Sequence, residues 1–299
     1  PVRVCNETGW SSYVFLANGI KYAADNGADI INIEAATYSE SDIISDAVNY
    51  AYGKGVFLCA PAGNSNSQHK FYPAANENVT GVAASDQDDK RASFSNYGAW
   101  VDIAAPGNKI FSTMPTYHVY ENDVYGVPQN YSFGSGTSLA APMVAGVAAL
   151  LLSKDPSLTP DEVKTLLCGN VDPYNSTEYI GTGRLNAQKA LIALNQPPDT
   201  PTITGPAKGK IKVATEYNFT TTDPDDDEVY YFIDWGDGTN SSIGPYPSGD
   251  LIPESHTWLK KGTYIIRAKA KDTFDVESDW GQLSITMPYK PPQFRLLEW

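Results

Sequence analysis

Ser138 is the first residue on which chemistry can be built. It follows a glycine turn, Gly134 and Gly136, and precedes a run from Leu139 to Leu152 that carries no charge. A helix apolar on every side is expected to be buried on every side. The run is also shorter than the roughly 20 apolar residues that a bilayer needs. Pro142 reads as part of the first turn, where its missing N–H costs little. Ser138 then stands where free backbone N–H groups and the helix dipole favour negative charge. A nucleophile of acyl transfer needs that setting, because its tetrahedral intermediate carries an oxyanion. Ser is equally a favoured helix cap, so a bare Thr-Ser pair ahead of a helix also has a purely structural reading.

The surrounding residues favour the chemical reading. Gly136-Thr137-Ser138-Leu139-Ala140-Ala141-Pro142-Met143-Val144-Ala145-Gly146 resembles the nucleophile segment of subtilisin-like serine proteases, the subtilases. Ala60-Pro61-Ala62-Gly63-Asn64 resembles that family's oxyanion-hole segment. Phe94 to Gly98, Ala104 to Gly107 and Gly181 to Ala187 follow in the family's order, and the resemblance covers about residues 1 to 195. It implies that Ser138 is the nucleophile and that Asn64 donates its side-chain amide to the oxyanion beside the Ser138 backbone N–H. Without it, Asn64 is a loop asparagine after a glycine.

Two departures from the family pattern shape the expectations. The family's Asp and His precede the oxyanion segment, yet neither an Asp-Thr-Gly-like nor a His-Gly-Thr-His-like motif occurs. His69, His118 and His256 read as loop or surface residues. The resemblance therefore implies a triad Asp and His before Pro1, and residues 1–299 alone are expected to lack a triad. The second departure follows the strand-like Ile30 to Ile33. The family has Ser-Leu-Gly-Gly there, pairing with substrate and walling the pocket for the residue before the cut. Here the chain reads Glu34-Ala35-Ala36-Thr37, with a Cβ at Ala36 and a negative charge at Glu34. That points either to unusual specificity, such as for basic side chains, or to decayed substrate binding. Glu34, Ala35 and Ala36 are the substrate-binding candidates on this wall, and Ala60, Pro61, Ala62 and Gly63 those on the opposite wall.

The elements that position these residues alternate. Ser11 to Asn26 and Ser41 to Tyr52 have helical periodicity, and Thr159-Pro160-Asp161-Glu162 is a capping box opening another helix. Asn186 to Leu194 closes the series. Val56 to Ala60, Val79 to Ala84 and Val101 to Ala105 are short, near-continuous apolar strands, and Val2 to Cys5 reads as a strand already under way. Such alternation predicts an α/β fold, a doubly wound parallel sheet covered on both faces, with ligands beyond the carboxyl ends of its strands. By the resemblance it is subtilisin-like and incomplete at its N-terminus. A proline-rich linker, 196–201, follows this domain of residues 1–195. Beyond it Tyr217 to Thr220, Val229 to Trp235 and Tyr264 to Lys271 alternate between faces, predicting an antiparallel sandwich. Asp223-Pro224-Asp225 with Asp234-Trp235-Gly236-Asp237-Gly238 resembles the polycystic-kidney-disease (PKD) domain, an immunoglobulin-like accessory module. Residues 202–288 form this second domain, and the tail, 289–299, reads as the start of something further.

Composition narrows the partners. A formal charge of −14 and a pI near 4.5 exclude nucleic-acid binding through a general basic surface. No membrane segment is visible. Cys5, Cys59 and Cys168 make no disulfide framework, and Cys5 and Cys59, in apolar strand-like runs, read as buried thiols. The acidic run Asp223, Asp225, Asp226, Asp227 and Glu228 offers the oxygens that calcium favours, but without EF-hand spacing it reads as a turn with Asx caps. Structural calcium stays open, and the chemistry requires no cofactor. Sequons at Asn6, Asn78, Asn130, Asn175, Asn218 and Asn240 agree with a secreted protein acting on proteins or peptides. Two other readings compete. An α/β-hydrolase requires Asp and then His after the Ser, and only His256, in the sandwich, follows it. A pseudoprotease or adhesive module would use the scaffold only to bind.

Overall fold

The computed structural model describes residues 1–6 and 9–287, so the tail of residues 289–299 and the last residue of the second domain lie outside the described residues. The chain divides into two compact units, Pro1–Leu194 and Asn195–Trp299.

In chain order the first unit runs α1 (Tyr13–Asp25), β1 (Ile30–Asn32), α2 (Asp42–Gly53), β2 (Phe57–Pro61), β3 (Thr80–Ser85), β4 (Ile103–Pro106), β5 (Ile110–Thr113), α3 (Tyr120–Tyr125), β6 (Tyr131–Gly134), α4 (Thr137–Lys154), α5 (Pro160–Gly169) and α6 (Ala187–Leu194). Strands β1-β2-β3-β4 form one parallel sheet in that order, with Ile30 beside Phe57, Cys59 beside Thr80 and Val82 beside Ile103. Side chains alternate across it, so β2 feeds two cores. Phe57 and Cys59 pack with Val144, Ala148 and Leu151 of α4, while Leu58 and Ala60 pack with Ile20 of α1 and Ile44 and Val48 of α2. Both faces are covered, as an all-parallel sheet requires. The capping box at Thr159 is formed, its hydroxyl accepting the Glu162 N–H and the Glu162 carboxylate accepting the Thr159 N–H.

Three local expectations are corrected. Val2 to Cys5 is not a strand. It lies along α1 instead, with Val4 Cγ1 only 2.3 Å from where a Cβ on Gly19 would stand. Helix α4 is not buried on every side: Ala140, Ala141, Val144, Val147, Ala148 and Leu151 are, whereas Gly146, Ala149 and Leu150 are exposed. Small residues such as Gly146 and Ala149 on its open face hid this asymmetry, since they are apolar without demanding burial, although Leu150 is exposed there too. Pro142 is the sixth helical residue, beyond the first turn. Its missing N–H would otherwise bond the carbonyl of Ser138.

The second unit holds β7 (Thr202–Thr204), β8 (Thr215–Thr220), β9 (Val229–Asp234), β10 (Asn240–Tyr246), β11 (Ile252–His256), β12 (Gly262–Lys271) and β13 (Gly281–Met287). Two antiparallel sheets, β10-β9-β12-β13 and β11-β8-β7, enclose one core. On β12, Ile266, Ala268 and Ala270 are buried and Ile265, Arg267 and Lys269 face outward. Trp235, Trp258, Tyr217, Phe219 and Tyr231 fill the interior. In the acidic turn, Asp223 Oδ1 accepts the amides of Asp225 (2.9 Å) and Asp227 (3.2 Å). One carboxylate oxygen from each of the three lies within 4.8 Å of the others.

Candidate active site

Helix α4 begins where the parallel sheet ends, and its first residues are held by backbone contacts that only glycine permits. Gly136 N donates to Gly107 O at 2.8 Å. A Cβ on Gly107 would stand 2.8 Å from Gly136 O and 2.6 Å from Ala84 Cβ, so a side chain there would push the turn away from β3. Ser135 Oγ accepts the Lys109 N–H at 2.9 Å and fixes the other flank.

The next residue, Thr137, joins the two halves of the site. Fully buried, it accepts the Gly63 N–H on Oγ1 at 3.0 Å. The same hydroxyl donates to Asn64 Oδ1 at 3.0 Å, and the Thr137 N–H donates to that oxygen at 2.8 Å. The acceptor end of the Asn64 amide is therefore used twice. Its donor end, Nδ2, has no hydrogen-bond partner among the described residues and lies 3.4 Å from where a Cβ on Gly136 would stand. Asn64 and Ser138 are both exposed, at adjoining points on the surface. The arrangement can present an amide N–H and a helix N-terminal N–H to one oxygen atom. Thr137 was legible only as part of the motif; its role needed the structure.

Thr137→Val tests this coupling. It strands the buried Gly63 N–H, at a cost of about 1–3 kcal/mol, and removes one of the two donors that orient Asn64. Thermal unfolding should register the first effect. The second should lower kcat of the full-length chain by about five- to tenfold, the weight of one hydrogen bond.

Glu34 follows strand β1. Asn32 Nδ2 donates to its Oε1 at 3.0 Å, and Cys59 Sγ–H donates to Asn32 Oδ1 at 3.5 Å. The carboxylate reaches solvent, yet the protein packed around it desolvates it enough to raise its pKa, against hydrogen bonds from Asn32 and Ser138 that lower it. Burial, with Glu34 nearby, pushes the Cys59 thiol up to about 12. A carboxyl with a raised folded pKa binds its proton more tightly in the folded chain, so stability falls as pH rises from the usual glutamate value through the folded one. Glu34→Gln should therefore leave the melting temperature unchanged well below pH 4.5 and raise it at neutral pH. Melting curves across that range check it.

The remaining candidates divide. Glu34, Ala35 and Ala36 line an open cavity of about 670 Å³ with Trp10, Ser12 and Tyr13. Ala60 and Ala62 are fully buried with their methyls in core clusters, so they offer a cleft only backbone. Pro61 is also buried, and Gly63 adopts φ +100°. None of the histidines is bonded to Ser138. His118 pairs with Asp123 at 3.2 Å, and His69 borders a cavity of about 490 Å³ with Tyr38, Glu40, Lys70 and Tyr72. His256, in the second unit, stacks on Trp235 and meets Asp237 at 2.9 Å.

The parallel sheet β1-β2-β3-β4, covered by helices on both faces, makes the first unit an α/β fold, with the exposed Ser138 near the N-terminus of α4 and the Asn64 amide beside it. The subtilase family model matches residues 1–190, and the chain belongs to that family. Thermitase of Thermoactinomyces vulgaris is 40% identical over 191 residues, covering 64% of this chain and 63% of thermitase. The thermophilic serine proteinase of Bacillus sp. strain AK1 is 39% identical, and the match covers 44% of it. The chain thus spans less than two thirds of these relatives' length. A solved protease structure from Pseudoalteromonas arctica PAMC 21717 aligns with TM-score 0.58 and 32% identity over 64% of this chain and 62% of that one. The PKD domain of an M14-like peptidase from Thermoplasmatales archaeon SCGC AB-540-F20 is 53% identical over 32% of this chain and 99% of that domain, with TM-score 0.31.

Proposed function

We propose that this chain carries the nucleophile and oxyanion hole of a secreted serine endopeptidase acting on proteins or peptides. Ser138 Oγ attacks the scissile carbonyl carbon as its proton passes to a general base. The carbonyl electron pair moves onto oxygen, which receives hydrogen bonds from Asn64 Nδ2 and the Ser138 N–H. Collapse breaks the C–N bond, the amine leaves with a proton, and water hydrolyses the Ser138 ester. The observation that supports this most is the double use of Asn64 Oδ1 by Thr137, which leaves Nδ2 as the only free end of the amide beside Ser138.

The general base and the carboxylate that orients it are assigned to chain outside residues 1–299, since no histidine here is bonded to Ser138. No cofactor enters the reaction. Residues 1–195 form the peptidase domain and 202–288 a PKD-like module joined by the linker. One observation favours a second reading, a binding scaffold without turnover: Glu34 brings a carboxylate to the Ser138 hydroxyl. A fluorophosphonate probe separates the two. The full-length chain should be labelled at Ser138 and the Ser138→Ala variant should not; an unlabelled wild-type chain favours the scaffold.

A further inference from the structure

The sandwich keeps one acidic side chain almost wholly out of water. Asp223, in the turn between β8 and β9, is 5% exposed. Its Oδ1 accepts the Asp225 and Asp227 amides, as an Asx turn requires. Its Oδ2 is buried and has no hydrogen-bond partner. The turn accounts for the first oxygen and leaves the second without a reason. An ionised carboxylate in such a place is costly unless a donor or a cation meets it.

Like charges gather around this side chain. Asp225 and Asp227 each bring a carboxylate, and one oxygen from each of the three residues lies within 4.8 Å of the others. The turn that carries them is braced before any ligand arrives. The Asp223 N–H donates to Ser248 Oγ at 2.9 Å, and the Gly249 N–H donates to Thr221 O at 2.8 Å. Asp225 Oδ2 accepts the Gln196 N–H at 2.7 Å, which ties the start of the second unit to the same turn.

A single ion can meet all three side chains. Calcium takes oxygen ligands at about 2.3–2.6 Å, so two ligand atoms on one ion can stand up to about 5 Å apart. That span covers the spacing of the three oxygens. The ligands are carboxylates alone, with no nitrogen or sulfur, as a hard cation prefers. Magnesium, with shorter bonds and near-ideal octahedral demands, suits three side chains of one braced turn less well.

We infer that Asp223, Asp225 and Asp227 form a calcium site, in which the ion meets the buried Oδ2 of Asp223 and water or backbone carbonyls complete its shell. The ion fixes the β8–β9 turn of the second unit and takes no part in peptide hydrolysis.

The test uses the full-length chain, stripped with EDTA and titrated with calcium chloride in a calorimeter. The wild-type chain should bind one equivalent that Asp223→Asn loses or binds at least about tenfold more weakly, since ligand charge sets calcium affinity. Asparagine keeps the Oδ1 acceptor that the turn needs and removes the charge. Asp227→Asn should weaken the same equivalent, and it serves if Asp223→Asn does not fold. Calcium should also raise the melting temperature of the wild-type chain by several degrees more than that of either variant. Calcium held elsewhere in the chain acts on all three proteins alike, and no readout depends on turnover at Ser138. A wild-type chain that binds no calcium overturns the inference, as does equal stoichiometry and affinity in the wild-type chain and a folded variant. A melting shift matched by magnesium at the same concentration overturns the assignment to calcium.

Discussion

Replacing Ser138 with alanine in the full-length chain is expected to lower kcat for peptide hydrolysis by about 10⁶-fold, the loss known for the nucleophile of subtilisin, a member of the same family. The size follows from what remains. Without Oγ no acyl-enzyme forms, and only the oxyanion donors and substrate binding still act, leaving water as the nucleophile. The fold should not suffer. Ser138 is exposed in the first turn of α4, and alanine is the better helix former. A change in stability within about 0.5 kcal/mol is therefore expected. Melting the variant beside the wild-type chain separates lost chemistry from lost structure. A variant that melts normally yet keeps more than a trace of turnover would assign the nucleophile elsewhere.

How far the sequence reaches can be judged residue by residue. The strands β1 to β4 were legible because strands buried on both faces are near-continuous apolar runs between helical periods. The sandwich was legible on β12 because Tyr264 to Lys271 alternates strictly, and the burial of Ile266, Ala268 and Ala270 follows that alternation. Val2 to Cys5 misled because β propensity says nothing about whether a partner edge is available. Helix α4 misled because alanine and glycine count as apolar whether or not they are covered. The pairing of β5 with β6, Ile110 opposite Gly134, was missed: the strands are far apart in sequence and their exposed residues show no buried face. At the site, Ser138 and Asn64 were named from the motifs. The bonds of Thr137 and the close approach at Gly107 depend on contacts between distant segments, which no local spacing encodes.

The second large effect concerns Asn64, which holds the central claim that its amide faces the oxyanion. Its donor is useful only once negative charge has developed on the substrate oxygen, so removing it should weaken the transition state and leave substrate binding nearly unchanged. In subtilisin, the family's own example, losing the equivalent donor costs about 10²–10³ in kcat. Thr137 would lose its acceptor as well, but Thr137→Val already bounds that part at about five- to tenfold. The direct measurement is steady-state kinetics of Asn64→Ala in the full-length chain, with kcat and KM resolved separately. The account predicts a kcat lower by about 10²–10³ at a KM within about twofold of the wild-type value. An unchanged kcat, or a loss expressed wholly in KM, would contradict it.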